Sequence, residues 1–297
     1  MIPTRVRIVE VGPRDGLQNE AAAVSTADKV AFVNALSAAG HTQIEVSAFV
    51  SPKWVPQMAD AAEVFAGITR RAGTRYTALV PNSEGLTRAM ASRVDGVAVF
   101  AAASESFSRR NINQGIDASL ERYRDVCDQA RAAGLPVRAY VSTAFGCPFE
   151  GAVDPGAVAR VSAALFEMGA GEVAVSDTIG IAHPGQVPGV IEAVAAHVPI
   201  GRIALHFHDT RGTALANVLA ALHLGVAVFD SSAGGLGGCP YAPGATGNLA
   251  TEDLLYMLDG MGIETGVSLP GVAAASRAIG ARLDHRLPSR YLAATRA

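Results

Sequence analysis

The chain has 297 residues, of which 49% are hydrophobic and 17% charged, so it can bury a large core and differs from disordered proteins. The formal net charge is -3 and no long basic run occurs, which argues against DNA or RNA as a partner. Three cysteines, Cys127, Cys147 and Cys239, are too few and odd in number for a disulfide framework, so we expect a reducing, cytoplasmic compartment.

Neither a targeting signal nor a membrane span is expected. The first residues include Arg5, Arg7 and Arg14 and lack the continuous apolar stretch of a signal peptide. No segment approaches the roughly 18 strongly apolar residues of a transmembrane helix. The last five residues, AATRA, do not form a peroxisomal signal of the SKL type, which also favours the cytoplasm.

Strand and helix patterns alternate along the whole chain. β-branched runs predict eight strands, at 7–11, 43–46, 76–80, 96–100, 137–142, 172–176, 203–208 and 226–231. Alanine-rich segments with helical spacing lie between them, at 27–39, 119–133, 155–168, 185–197 and 213–224. Several are followed by a glycine that suits a helix C-terminus, at Gly40, Gly134, Gly169 and Gly225.

Eight strand-helix units predict a (β/α)8 TIM barrel within one catalytic domain that covers residues 1–297. The alternative is an open doubly wound sheet, which usually has a glycine-rich phosphate-binding turn after its first strand. Here that turn reads GPRDG, with a cation and a carboxylate, so the alternative loses its main support. A glycine-rich loop at 234–248 follows the last strand, and C-terminal helices are predicted from 249, at 249–260 and 269–283.

Polar residues at the ends of the predicted strands are the first candidates for a site, because TIM-barrel active sites form at the carboxyl face. Asp15 follows strand one, Glu45 lies in strand two and Asp177 ends strand six. His206 and His208 lie two residues apart in strand seven, so both imidazoles face the same side and could bind one metal ion. Such a pair is also compatible with histidines that only satisfy core hydrogen bonds.

Two further features each have a functional and a structural interpretation. The loop at 234–248 is costly to order and suits a mobile lid that carries Cys239 over a substrate, but it could equally be a surface loop with an inert thiol. Arg14 could neutralise charge on a carbonyl oxygen, or form a structural ion pair with Asp15.

Several segments resemble the 3-hydroxy-3-methylglutaryl-CoA lyase family. The resemblance is carried by VRIVEVGPRDGLQNE at 6–20, IEVSAFVSPKWVPQM at 44–58 and GLGGCPYAPGATGNLATEDL at 235–254, with SDTIG and HFHDTRGTALAN between them. These motifs occur in the family's order and cover nearly the whole chain. The family belongs to a wider group of metal-dependent TIM barrels that make or break carbon-carbon bonds.

The resemblance implies a role for each matching residue. It implies a divalent cation, Mg or Mn, with Asp15, His206, His208 and Asn248 as ligands. It implies that Arg14 stabilises a thioester enolate and that Glu45, Asp177, His206 and Cys239 share the remaining catalytic work. Among these, we expect Cys239 to transfer a proton, with Glu45 and Asp177 positioning the ligands and Arg14.

The implied substrate is a small acyl-CoA molecule, cleaved as in leucine breakdown and ketone body formation. Its phosphates have plausible partners in Lys53, Arg109 and Arg110, although exposed cations are more often only solvated. The leading function is cleavage of 3-hydroxy-3-methylglutaryl-CoA to acetyl-CoA and acetoacetate. The alternatives are a lyase for a bulkier 3-hydroxy-3-alkylglutaryl-CoA and a non-catalytic barrel, which the intact site residues disfavour. Related enzymes commonly form dimers, so a homodimer is expected.

Overall fold

The computed structural model describes residues 1–237 and 247–295 and confirms the TIM barrel. Eight parallel strands close the barrel in chain order, and β1 pairs with β8. The strands are β1 (Arg7–Glu10), β2 (Gln43–Ala48), β3 (Arg75–Leu79), β4 (Gly96–Ala102), β5 (Val137–Ser142), β6 (Glu172–Asp177), β7 (Ile203–Phe207) and β8 (Val228–Ser231). All eight predicted strands are present, with ends shifted by no more than a few residues.

Eleven α-helices lie within the described ranges and surround the barrel. They are α1 (Thr26–Ala38), α2 (Ala61–Gly67), α3 (Ser83–Ala91), α4 (Glu105–Ile112), α5 (Ile116–Ala132), α6 (Pro155–Glu167), α7 (Val187–Ala195), α8 (Ala214–His223), α9 (Thr251–Gly260), α10 (Leu269–Gly280) and α11 (Arg290–Ala294). Each predicted helix is present, whereas α2, α3, α4 and α11 were not predicted. In the parts of the chain that the structure describes, no helix is long and apolar enough to cross a membrane.

Local sequence signals explain where helices begin and end. The Asn82 side chain accepts a hydrogen bond from the Gly85 amide, 2.9 Å away, and so caps the first turn of α3. All four glycines expected after helices have positive φ. At Gly40, with φ of 104°, a Cβ atom would also lie 2.4 Å from the Gly266 carbonyl oxygen, so the close approach of these two segments requires glycine.

The barrel interior carries a network of ion pairs, which we call the interior ion network (Arg7, Glu172, Arg138 and Asp230). Arg138 on β5 donates to both carboxylate oxygens of Asp230 on β8, at 2.6 and 2.9 Å. It also donates through Nε to Glu172 on β6, which pairs with Arg7 on β1. Because β5 and β8 are not neighbours in the barrel, these bonds cross its interior and tie opposite sides of the sheet together.

Glu10 links the turn after β1 to the segment after β8. Its Oε1 atom accepts hydrogen bonds from the amides of Gly12 and Ala233, at 2.8 and 2.9 Å, and Oε2 accepts one from the Thr251 hydroxyl at 2.8 Å. Burial raises the pKa of Glu10 to about 8. Two titratable groups face it: His41 Nε2 lies 3.6 Å from Oε2, and the charge of Glu252 raises the pKa further.

We therefore expect the free energy of unfolding to fall as the pH rises from 6.5 to 8.5, by roughly 1 kcal/mol per pH unit. The folded state keeps the Glu10 proton up to a pKa of about 8, whereas the unfolded chain releases it near the ordinary value of 4.5. The stabilisation from this proton is thus fully present below the unfolded-state pKa of 4.5. It is lost as the pH rises through the folded-state pKa of about 8. Urea midpoints measured across this range, for the wild type and for Glu10→Gln, isolate this group. An equal pH dependence in the two proteins would refute the assignment.

Candidate active site

A single π-helical turn at Gly12–Gly16 places Arg14 and Asp15 at the carboxyl mouth of the barrel. The amides of Arg14, Asp15 and Gly16 all bond to the carbonyl oxygen of Val11, at 3.1, 2.8 and 3.2 Å. This turn follows β1 directly, where a phosphate-binding fold would present bare glycine backbone. Two charged side chains therefore enter the mouth from adjacent positions.

Arg14 is buried and held by two carboxylates. Its Nε donates to Glu45 and its Nη1 donates to Asp15 at 2.5 Å, while Nη2 makes no hydrogen bond to any described residue. The guanidinium carbon lies 5.5 Å from the centre of the Tyr140 ring, and the Tyr140 hydroxyl donates to Glu45 at 3.0 Å. Burial alone would lower the pKa of Arg14, but the charges of Glu45 and Asp15 raise it well above its ordinary value. Arg14 is thus a cation fixed by two carboxylates at the mouth of the barrel.

The two histidines of strand seven face each other and Asp15, as their spacing predicts. The Nε2 atoms of His206 and His208 are 3.1 Å apart, and His206 Nε2 lies 3.8 Å from Asp15 Oδ2. One ligand atom from each of the three residues lies within 4.8 Å of the others. These side chains form the cation triad (Asp15, His206 and His208), a set of mixed nitrogen and oxygen donors that suits a divalent cation.

Asn248 completes this group from the far end of the glycine-rich loop. Its Nδ2 donates to Asp15 Oδ2 at 2.9 Å and to the Leu236 carbonyl oxygen at 3.0 Å. Its Oδ1 is buried and has no hydrogen-bond partner among the described residues. A buried acceptor without a partner is costly, and a cation would satisfy it. The donor set therefore fits the cation implied by the resemblance.

The protonation states of the triad also suit a cation. Burial would raise the pKa of Asp15, but the charges of Arg14 and His206 hold it below its usual range. Burial lowers the pKa of His208 to about 3. At neutral pH Asp15 is therefore an anion and His208 carries a free lone pair, which are the forms that bind metals.

Asp177 lies at the end of β6 but is hydrogen-bonded differently from Glu45. Its carboxylate oxygens accept from the amides of Ile181 and Ala182, both at 3.0 Å, so it orders the loop after β6. Burial raises the pKa of Asp177 to about 6. Glu45 contacts Arg14 directly, whereas the described hydrogen bonds of Asp177 are with its own loop.

The other predicted site residues lie on the connections after the strands. Lys53 is exposed on the segment after β2, and Arg109 and Arg110 are exposed on α4, after β4. Arg109 pairs with Glu105 at 2.7 Å, and the Arg110 guanidinium lies 4.2 Å from the centre of the Phe149 ring. Cys239 lies outside the described residues.

Three residues that connect the site to the barrel interior were missed in the sequence: Tyr140, Arg138 and Asp230. Tyr140 bonds Glu45, and Asp230 bonds His206. Arg138 and Asp230 are the charged residues of two strands that otherwise carry no charge, VRAYVS and VFDS. A charge within such a strand was the signal in the sequence that could have indicated them.

Comparisons with known proteins identify the family. The HMGL-like family model matches residues 5–279 of this chain. The chain belongs to the HMGL-like family. A Pseudomonas aeruginosa relative named 3-hydroxy-3-isohexenylglutaryl-CoA/hydroxy-methylglutaryl-CoA lyase is 56% identical over 97% of this chain and 96% of its own length. The mitochondrial hydroxymethylglutaryl-CoA lyase of Bos taurus is 52% identical, over 99% of this chain and 90% of its own length.

A solved structure extends this similarity to the fold. An HMG-CoA lyase from Acinetobacter baumannii, in complex with coenzyme A and 3-methylmalate, superposes with a TM-score of 0.94 at 38% identity. The alignment covers 99% of this chain and 96% of that structure. The HMGL-like barrel described above is thus shared nearly end to end with a lyase that binds coenzyme A.

Proposed function

We propose that this chain is a lyase that cleaves 3-hydroxy-3-methylglutaryl-CoA into acetyl-CoA and acetoacetate. The observation that carries the proposal is the fixed cation Arg14 next to the cation triad, at the mouth of an HMGL-like barrel. The names of the relatives described above all include this substrate or its lyase, whereas a bulkier substrate is named for one of them.

Asp15, His206, His208 and Asn248 would hold a divalent cation, Mg or Mn. When bound, the cation would supply Lewis acidity to oxygen atoms of the substrate. Asp15 contributes the negative charge of the set, and Asn248 contributes the buried oxygen that has no other described partner. The histidines provide the nitrogen donors.

Cleavage requires that the substrate's 3-hydroxyl loses its proton and that the bond between C2 and C3 breaks. C3 becomes the ketone of acetoacetate, and the bonding electron pair moves onto the thioester as an enolate. The Nη2 group of Arg14 can donate a hydrogen bond to the enolate oxygen, which stabilises the developing negative charge. Glu45 and Tyr140 hold the guanidinium in place for this contact.

Two proton transfers complete the reaction: one from the 3-hydroxyl, and one to the enolate carbon to give acetyl-CoA. We assign a proton-transfer role to Cys239 on the glycine-rich loop, with His206 and Asp177 at the mouth as further catalytic groups. Support comes from Asn248, which follows Cys239 in the sequence of that loop and bonds Asp15. Glu45 acts through Arg14.

The substrate's coenzyme A portion would lie over the loops of the carboxyl face. Lys53, Arg109 and Arg110 are exposed there and are the proposed phosphate partners. Support comes from the relative that was solved with coenzyme A on the same fold. We also propose a homodimer located in the cytoplasm and a role in leucine degradation; the free thiols of Cys127 and Cys147 agree with a reducing compartment.

A comparison of two substrates tests the proposed specificity. The purified protein is supplied with Mg or Mn and with either 3-hydroxy-3-methylglutaryl-CoA or 3-hydroxy-3-isohexenylglutaryl-CoA, and acetyl-CoA release is followed. We expect a higher kcat/KM for the methyl substrate. A higher value for the isohexenyl substrate would overturn the specificity while leaving the lyase chemistry intact.

A further inference from the structure

We propose that Asp230 is a positioning residue that fixes the orientation and tautomer of His206, so that the His206 Nε2 lone pair points into the cation triad. Asp230 is not a ligand itself. The inference rests on the cation site of the proposed function, and it adds a residue from the barrel interior to that site.

The contact between the two side chains sets the position of the histidine proton. His206 Nδ1 lies 3.2 Å from Asp230 Oδ2, and both groups are buried. A carboxylate only accepts hydrogen bonds, so Nδ1 must carry the hydrogen. In a neutral imidazole the other nitrogen, Nε2, then has the free lone pair. That nitrogen faces His208 and Asp15.

Arg138 keeps Asp230 in the form and position that this contact requires. The guanidinium donates to both oxygens of Asp230, at 2.6 and 2.9 Å, and such a bidentate pair favours the ionised carboxylate. Arg138 is itself fixed by Glu172, through a 2.7 Å hydrogen bond from Nε. The interior ion network therefore ends at a ligand of the cation site.

Aromatic packing restricts the remaining freedom of the imidazole. The rings of His206 and Tyr140 meet edge to face, with centroids 6.1 Å apart and an interplanar angle of 86°. The Arg138 guanidinium lies 4.8 Å from the centre of the same Tyr140 ring.

Carboxylates or carbonyl oxygens that bind the second nitrogen of a metal-ligating histidine typically improve metal affinity by about 10- to 100-fold.

The variant Asp230→Leu removes the acceptor of His206 Nδ1 while keeping a side chain of similar size. Leucine offers no acceptor to Nδ1, so nothing holds the imidazole hydrogen there. In the Nε2 tautomer the hydrogen occupies the lone pair needed for the cation. We expect Mn²⁺ affinity to fall by about 10- to 100-fold.

The test reads the tautomer directly in the metal-free protein. With ¹⁵N-labelled histidine, ¹⁵N–¹H correlation spectra at about pH 8, where an ordinary imidazole is neutral, show which ring nitrogen carries hydrogen. His206 is assigned by comparison with His206→Asn. We expect hydrogen on Nδ1 in the wild type and no single tautomer in Asp230→Leu, together with the loss of Mn²⁺ affinity measured by calorimetry.

Glu172→Gln is the matched control, because it removes a carboxylate from the same arginine without touching His206. We expect it to keep hydrogen on Nδ1 and to bind Mn²⁺ within about threefold of the wild type. An equal loss of Mn²⁺ affinity in Glu172→Gln would mean that the affinity depends only on an intact interior ion network. That result would overturn the proposal. A wild-type tautomer and wild-type Mn²⁺ affinity in Asp230→Leu would also overturn it.

A second variant covers the case in which Asp230→Leu fails to fold. The double substitution Arg138→Met with Asp230→Leu removes both charges of the pair, so no unpaired ion is buried. We expect His206 to lose its single tautomer and Mn²⁺ affinity to fall by at least about tenfold. An unchanged tautomer in this protein would refute the role of Asp230. Because the spectra need neither metal nor substrate, this outcome is independent of whether the proposed lyase activity is found.

Discussion

Replacing Arg14 with glutamine is expected to lower kcat for 3-hydroxy-3-methylglutaryl-CoA by about a thousandfold, since it removes the donor for the enolate oxygen. The effect falls on kcat because this oxygen gains full charge only as the carbon-carbon bond breaks. Lysine should not restore activity: it keeps the charge, but its single nitrogen cannot occupy the separate positions from which Nε and Nη1 bond Glu45 and Asp15 and Nη2 would reach the substrate. Steady-state rates of acetoacetate release measure both variants.

Metal binding separates this role from a structural one. Arg14 lies next to Asp15, so its removal takes a positive charge away from the cation site and should not weaken Mn²⁺ binding. Arg70→Gln is the matched control, since Arg70 pairs with Asp95 just before β4, at the opposite end of the barrel. We expect wild-type kcat for this control. A kcat close to that of the wild type for Arg14→Gln would show that Arg14 forms only a structural ion pair.

Replacing Asp15 with asparagine is expected to weaken Mn²⁺ binding by at least about a hundredfold. Losing a metal ligand should cost at least as much affinity as losing a residue that supports a ligand, which costs up to about a hundredfold. Asp15 is the carboxylate of the cation triad, and its low pKa keeps it ionised at neutral pH. Asparagine has nearly the same shape, so the change tests charge and donor strength rather than packing. Calorimetric titration of the metal-free protein with Mn²⁺ gives the dissociation constant.

The control for this variant is Asp95→Asn, which removes one aspartate charge from the amino end of the barrel. It should bind Mn²⁺ as the wild type does. If both variants lost affinity equally, net charge rather than ligation would explain the result. If Asp15→Asn kept its affinity, the triad would not be the cation site.

Much of the barrel follows from local sequence patterns. Each strand is a short apolar or β-branched run, and the period of strand and helix was enough to predict eight parallel units. Strand ends were less predictable: β7 ends at Phe207, one residue early, because the backbone of His208 leaves the sheet to pair with Asn248. That pairing depends on a residue that is distant in the chain.

The missed helices were short or strongly polar. Helix α2 has seven residues, and α4, with the sequence ESFSRRNI, has few apolar positions. Such segments give little periodic signal and are stabilised by packing and by caps. Ser104, for instance, caps α4 by accepting from the Phe107 amide at 3.2 Å.

Part of the site was predictable from the order of the strands. Parallel strands bring their carboxyl ends together, so the sequence alone groups Asp15, Glu45 and the two histidines. Bonds across the barrel could not be predicted, because they depend on the register of strands that are not neighbours in the sheet. The link between Asp230 and Arg138 is of this kind, as is the bond from Tyr140 to Glu45.

The central claim is a cation-dependent lyase at the mouth of this barrel. Its most direct test is acetoacetate release from 3-hydroxy-3-methylglutaryl-CoA by the purified protein, measured before chelation, after chelation and after Mg or Mn is restored. We predict activity that disappears with the chelator and returns with either cation. Full activity in protein shown by mass spectrometry to be free of metal, or no acetoacetate with any cation, would contradict the account.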